Sequence, residues 1–123
     1  MWNGINKRKF PRANYKCLIT IRKRLNSKTL STHTENIGAG GICVVVSEDL
    51  GLFQGVDLEL YIDDGKPQIK CGGTVVWVVK RTDPKRKSVY QYDTGIEFID
   101  MRPEDRERIS SVVDEILKKE KPE

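Results

Sequence analysis

Arg8 and Arg12 stand four residues apart with Pro11 between them, and further along Asn36 leads into the stretch Gly38-Ala39-Gly40-Gly41. Guanidinium groups offer planar, permanently charged forks of N–H donors. An asparagine amide donates and accepts at once, and glycines leave backbone N–H groups open to close approach. Together these groups suit capture of a phosphate and reading of a nucleobase edge. They supply no nucleophile, proton shuttle or metal-ligand set. His33, the single histidine, has no partner set in the sequence and reads as an ordinary strand residue. Binding of an anionic ligand is therefore expected, and catalysis is not.

The charge distribution agrees. The formal net charge is +4, yet the first 28 residues hold nine cations, from Lys7 to Lys28, and no acid, which leaves −5 for the remainder. Such a basic end concentrates anions near it. Lys7 is a candidate for an additional phosphate contact. Residues 1–14 are polar and basic and are broken by Gly4 and Pro11. They are expected to form a flexible segment that orders only against a ligand.

A single folded unit, residues 15–120, must position these groups. A chain of 123 residues, 37% hydrophobic and 33% charged, fits one small globular domain. Tyr15, Cys17, Ile19 and Ile21 alternate with more polar residues, giving a half-buried strand. A second strand is read from Leu30 to Asn36, a buried one from Ile42 to Val46, and a fourth from Val56 to Ile62. A fifth runs from Ile69 to about Val79, with Ile69, Cys71, Gly73, Val75, Trp77 and Val79 on one face, and the last from Tyr90 to Phe98. Six strands separated by turn signals such as Asp63-Asp64-Gly65 indicate a small antiparallel barrel or sandwich. On this alternation Trp77 is a core or rim residue, with stacking on a base as its functional alternative.

Beyond the strands, Pro103 suits a first helical position, and Ile109, Val112, Val113, Ile116 and Leu117 form one apolar stripe. The three cysteines, Cys17, Cys43 and Cys71, are widely spaced and odd in number, which argues against a disulfide framework or a zinc site. No run of about 18 apolar residues is present, and none follows Met1-Trp2-Asn3-Gly4. Membrane insertion is not expected, and the cytoplasm is the expected location.

Taken in order, these elements resemble the PilZ domain family, bacterial receptor modules for cyclic di-GMP. Arg8 and Arg12 match the family's Arg-x-x-x-Arg loop. Asn36, Gly38 and Gly41 match in part its Asp/Asn-x-Ser-x-x-Gly motif. Gly73-Thr74-Val75-Val76-Trp77 is similar to a later Gly-x-Val-x-Trp strand, and Gly95-Ile96-Glu97-Phe98 to the closing Gly-Ile-x-Phe strand before a helix. The resemblance runs from about Arg8 to Leu117. It implies a mainly β protein, a six-stranded antiparallel β-barrel with a C-terminal amphipathic helix. It also implies cyclic di-GMP as ligand, no cofactor, and a ligand site drawn from Arg8, Arg12, Asn36, Gly38 and Gly41, joined by Lys7 and Trp77. In one departure, Gly38 stands where the family has serine. The missing hydroxyl removes a hydrogen bond worth about 0.5–1.5 kcal/mol. Restoring serine is expected to tighten binding or leave it unchanged, provided φ at position 38 is negative.

The leading expectation is a receptor that orders its basic loop over cyclic di-GMP and signals to a downstream protein. The alternative is a degenerate PilZ-like adaptor that does not bind the nucleotide and acts through protein contacts. Gly38 favours the alternative and the arginines oppose it. Single-stranded nucleic acid is a disfavoured ligand, because the strands lack a row of exposed aromatics.

Overall fold

The computed structural model of the chain describes residues 11–82, 84–86 and 88–120. Seven strands precede one helix: β1 (Arg12–Ala13), β2 (Leu18–Lys23), β3 (Thr29–Gly38), β4 (Gly41–Val46), β5 (Gly55–Tyr61), β6 (Ile69–Thr82), β7 (Tyr90–Ile99) and α1 (Pro103–Glu120). The sheet order is β1-β3-β2-β5-β6-β7-β4, and an additional β3–β4 pairing closes β2 to β7 into a six-stranded antiparallel barrel. The expected mainly β barrel with a C-terminal helix is the fold that forms.

β1 was not expected. β2 pairs only with residues 29–33 of β3, and β1 follows it on the same strand, with Arg12 opposite Gly38 and Ala13 opposite Ile37. The segment read as irregular through residue 14 thus ends in a two-residue strand, while residues 1–10, on which its expected flexibility rests, lie outside the described residues. β2 begins at Leu18 rather than Tyr15 because buried Thr34 holds the chain before it. Its Oγ1 accepts from the Cys17 N–H at 3.0 Å and donates to the Tyr15 carbonyl at 2.6 Å. These bonds satisfy backbone groups that would otherwise be buried unpaired.

Ile19, Ile21, Ile37, Ile42, Val44, Leu58, Leu60, Ile69, Val75 and Ile96 point into the barrel and are essentially inaccessible. Each such side chain contributes about 1.5–3 kcal/mol on burial. The stripe on α1 behaves as its spacing indicated. Ile109 and Val113 are buried, and Val112, Ile116 and Leu117 pack against the core. The helix lies against β1 and β3. Its first turn is fastened by Asp105, which is buried and accepts from Arg102 Nε at 3.0 Å and Arg108 Nη1 at 3.3 Å. Arg108 also donates to both carboxylate oxygens of Asp64, at 2.8 and 2.9 Å, and to the Pro67 carbonyl at 2.8 Å. This latch ties the helix to the β5–β6 loop, and the Arg108 guanidinium holds the Asp64 carboxyl below the usual carboxylate range.

Two β-bulges break the alternation. In β3 the register against β4 shifts between Thr34 and Asn36. Thr34 and Ile37 are therefore both buried, and Asn36 is turned to the outer face. In β6 the register against β7 shifts between Val75 and Trp77. Val75 is buried and Val78 packs on the core, so Trp77 also turns outward. The single face expected to join Val75, Trp77 and Val79 therefore ends at Val75. One extra residue reverses every side chain beyond it.

Candidate functional site

The bulges place Asn36 and Trp77 in one row on the outside of the barrel. Asn36 pairs with Cys43, Cys43 with Gly95, and Gly95 with Trp77. Strands about 4.8 Å apart make this row roughly 14 Å long. A neighbouring row runs through Val45, Asp93 and Val79.

At one end, β1 brings Arg12 opposite Gly38. Arg12 Nε and Nη2 both donate to Asn36 Oδ1, at 2.9 and 2.5 Å. Asn36 thereby fixes the plane of the guanidinium, so the two polar residues read from distant parts of the sequence form one unit.

Glycines allow the close approaches that build this face. Gly51 and Gly65 are the glycines at positive φ among the described residues, so Gly38 meets the torsional condition for serine. The space does not permit it. A Cβ on Gly38 would lie 2.6 Å from the Pro11 carbonyl oxygen and 3.1 Å from Arg12 Cγ. A negative φ is therefore not a sufficient condition for serine here, because Gly38 is the seat of β1. A Cβ on Gly41 would overlap the Ile96 carbonyl, and one on Gly95 would overlap the Trp77 indole. Trp77 accordingly lies across Gly95 with part of its surface exposed.

Cys43 occupies the middle of the row, half-buried. Burial pushes its thiol up, with Asp93 raising it further, Arg12 lowering it, Glu35 raising it and Arg81 lowering it. Burial also raises Cys17 and, with Asp105, pushes Cys71 up to about 12. The raised values disfavour the thiolate, the nucleophilic form, at all three. Among the described residues no three His, Cys, Asp or Glu side chains gather to hold a metal, and no helix is long and apolar enough to cross a membrane.

The structure therefore brings Arg12, Asn36, Gly38, Gly41 and Trp77 to one outer face. Lys7 and Arg8 lie outside the described residues. The sequence reading missed Asp93 and Arg81, which form an ion pair at 3.0 Å beside this row. Asp93 stands two residues before Gly95 in the closing strand, and that period-two spacing was the available signal.

The PilZ domain family model matches residues 6–115, and the chain belongs to the PilZ domain family. No curated protein sequence matches it. Solved structures share its fold. Bacillus subtilis inhibitor of motility (MotI/DgrA) aligns at 18% identity and TM-score 0.76, covering 94% of this chain and 53% of that one. The PilZ domain of Escherichia coli YcgR, solved with c-di-GMP, aligns at 11% identity and TM-score 0.71, covering 92% and 93%. The complex of K. pneumonia MrkH with c-di-GMP aligns at 16% identity and TM-score 0.72, covering 91% and 52%. The chain thus spans about half the length of MotI and MrkH and nearly all of the YcgR domain.

Proposed function

We propose that this chain is a cyclic di-GMP receptor whose ligand lies on the outer barrel face between Arg12 and Trp77. The observation that carries this reading is the Arg12–Asn36 unit seated on Gly38, which joins the two family motifs in space. An oriented guanidinium can bind phosphate bidentately or donate to the O6/N7 edge of guanine, and the exposed part of an indole can stack on a base. The c-di-GMP complexes of the YcgR domain and MrkH, which share this fold, support the assignment. Arg8 and Lys7, which precede β1 in the sequence, would contribute further charge, and no cofactor or catalytic step is invoked. Three free cysteines suit a reducing cytoplasm.

In this reading the basic loop orders over the ligand and presents a new surface to a downstream protein. Amides of residues 5–14 should then gain hydrogen-exchange protection on addition of cyclic di-GMP while the barrel amides change little. Equal protection in both states would remove the switch. The site itself is tested by calorimetry on Arg8→Ala and Arg12→Ala. Each loses charge-assisted hydrogen bonds, so affinity should fall roughly tenfold or more with the barrel intact. Affinity equal to that of the unaltered chain in both variants would overturn the assignment. One observation favours the adaptor reading instead: the space a side chain at position 38 would need is filled by the chain's own Pro11 carbonyl. No binding of cyclic di-GMP by the unaltered chain would select that reading.

A further inference from the structure

The barrel end away from the Arg108–Asp64 latch has no part in the receptor reading. Antiparallel pairing brings three connections to this end: the β2–β3 turn, the β4–β5 loop and the β6–β7 hairpin. Each carries large apolar side chains in the open. Leu25 is 79% exposed, Phe53 71% and Leu52 50%, and Val89 and Tyr90 of the hairpin are exposed as well. The first two connections are adjacent, since the Arg24 N–H donates to the Gly55 carbonyl at 3.5 Å. Phe53 has a φ of 67°, a left-handed conformation that is an outlier for a bulky side chain. The loop around it is fastened. Leu50 is buried, the Gly51 N–H donates to Asp49 Oδ1 at 2.8 Å, and the Phe53 N–H donates to the Val75 carbonyl at 2.7 Å. Strain upheld by these bonds, on a side chain that gains little from burial, points to a use outside the fold.

The charge at this end is positive. Lys28 meets Glu48 at 2.6 Å and Arg24 meets Asp57 at 2.9 Å, which offsets much of the turn's charge. The excess comes from the hairpin, where residues 80–89 hold five cations and one acid. Beyond the Lys80–Tyr92 pair its strands pair only with each other, and every described residue from 79 to 90 is exposed. Arg81 has Asp93 as a partner at 3.0 Å, and Lys85 and Arg86 lie in the connecting turn. Lys80 Nζ is 4.0 Å from the centroid of the Tyr90 ring, a pairing suited to a water–lipid boundary. We propose that this end of the barrel binds the surface of an anionic lipid bilayer. Leu25, Leu52 and Phe53 enter the interface, and the hairpin cations meet lipid phosphates. The contact is peripheral and needs no spanning segment. A bilayer is favoured over a protein partner because the apolar side chains are divided among connections that also carry cations, whereas the core of a protein interface is depleted of charge. Apolar tips among cations are what an anionic lipid surface attracts. The inference is independent of the receptor reading.

The test is co-sedimentation with phosphatidylcholine vesicles, with and without about one-third phosphatidylglycerol. The unaltered chain should bind the anionic vesicles and bind phosphatidylcholine alone weakly. Phe53→Gly keeps the fold, because glycine accepts this φ without strain, and should weaken binding roughly tenfold. Leu25→Ser should act in the same direction. The double variant Lys85→Gln, Arg86→Gln should weaken binding roughly tenfold or more and reduce its salt dependence, which the apolar variants leave unchanged. The nine cations of the first 28 residues can draw the chain to anionic vesicles by charge alone, so the apolar variants decide. Binding by folded Phe53→Gly and Leu25→Ser equal to that of the unaltered chain would overturn the inference. Absence of binding by the unaltered chain would overturn it too, and would leave this end to an acidic protein partner.

Discussion

Replacing Gly38 by serine should weaken this protein, although it restores the residue usual in the family. An unstrained carbon–oxygen contact needs roughly 3.3 Å, and the new Cβ would start 2.6 Å from the Pro11 oxygen. Pro11 must therefore retreat by roughly 0.7 Å. β1 is two residues long, so the displacement passes directly to Arg12, which pairs with Gly38. Overpacking of this kind costs about 1–3 kcal/mol. For a domain of this size that is a fall in Tm of about 3–10 °C. Loss of the Arg12–Asn36 geometry should also weaken cyclic di-GMP binding by about tenfold. Differential scanning calorimetry and titration calorimetry read the two effects. Gly38→Ala should match Gly38→Ser, because the clash is with Cβ and not with the hydroxyl. A serine variant with unchanged Tm and equal or tighter binding would refute the reasoning.

Two further outcomes concern the scaffold. Arg108→Ala removes the guanidinium, only 11% exposed, shared by Asp64 and Asp105, and should cost about 3 kcal/mol in urea unfolding. Because the folded pKa of Asp64 is depressed, its contribution is complete above the unfolded carboxylate value near ~4 and is lost as pH falls through the lower folded value. Acidification below about pH 4 should therefore lower Tm, and less steeply in Arg108→Ala; parallel curves would exclude Asp64 as a source. Gly95→Ala should push the Trp77 indole off β7 and red-shift its fluorescence, read in a Trp2→Phe background, since a Cβ there overlaps the ring. An unshifted spectrum would mean that Trp77 does not lie across Gly95.

Most of the barrel could be read from alternating apolar residues, and α1 from the spacing of Ile109, Val112, Val113, Ile116 and Leu117. Burial on one face imposes that periodicity, so the sequence records it. The bulges were not legible. Glu35 and Val76 carry no local signature of an extra residue, and a register shift is a property of two strands together. Yet these shifts turn Asn36 and Trp77 outward. β1 was hidden for a similar reason, since Arg12–Ala13 is strand only because Gly38 leaves room for it. Family motifs located Arg12, Asn36 and Gly38, but nothing in them indicated that Gly38 supports the backbone of β1. Asp93 and Arg81 fall outside those motifs, and only the cross-strand register of β6 and β7 brings them to the face.

The most direct test of the receptor reading is a calorimetric titration of the unaltered chain with cyclic di-GMP, using GTP and a short single-stranded RNA as controls. Saturable binding of cyclic di-GMP, with little heat from GTP or RNA, is the expected result. No binding of cyclic di-GMP, or binding matched by either control, would contradict the assignment of this face as a cyclic di-GMP site.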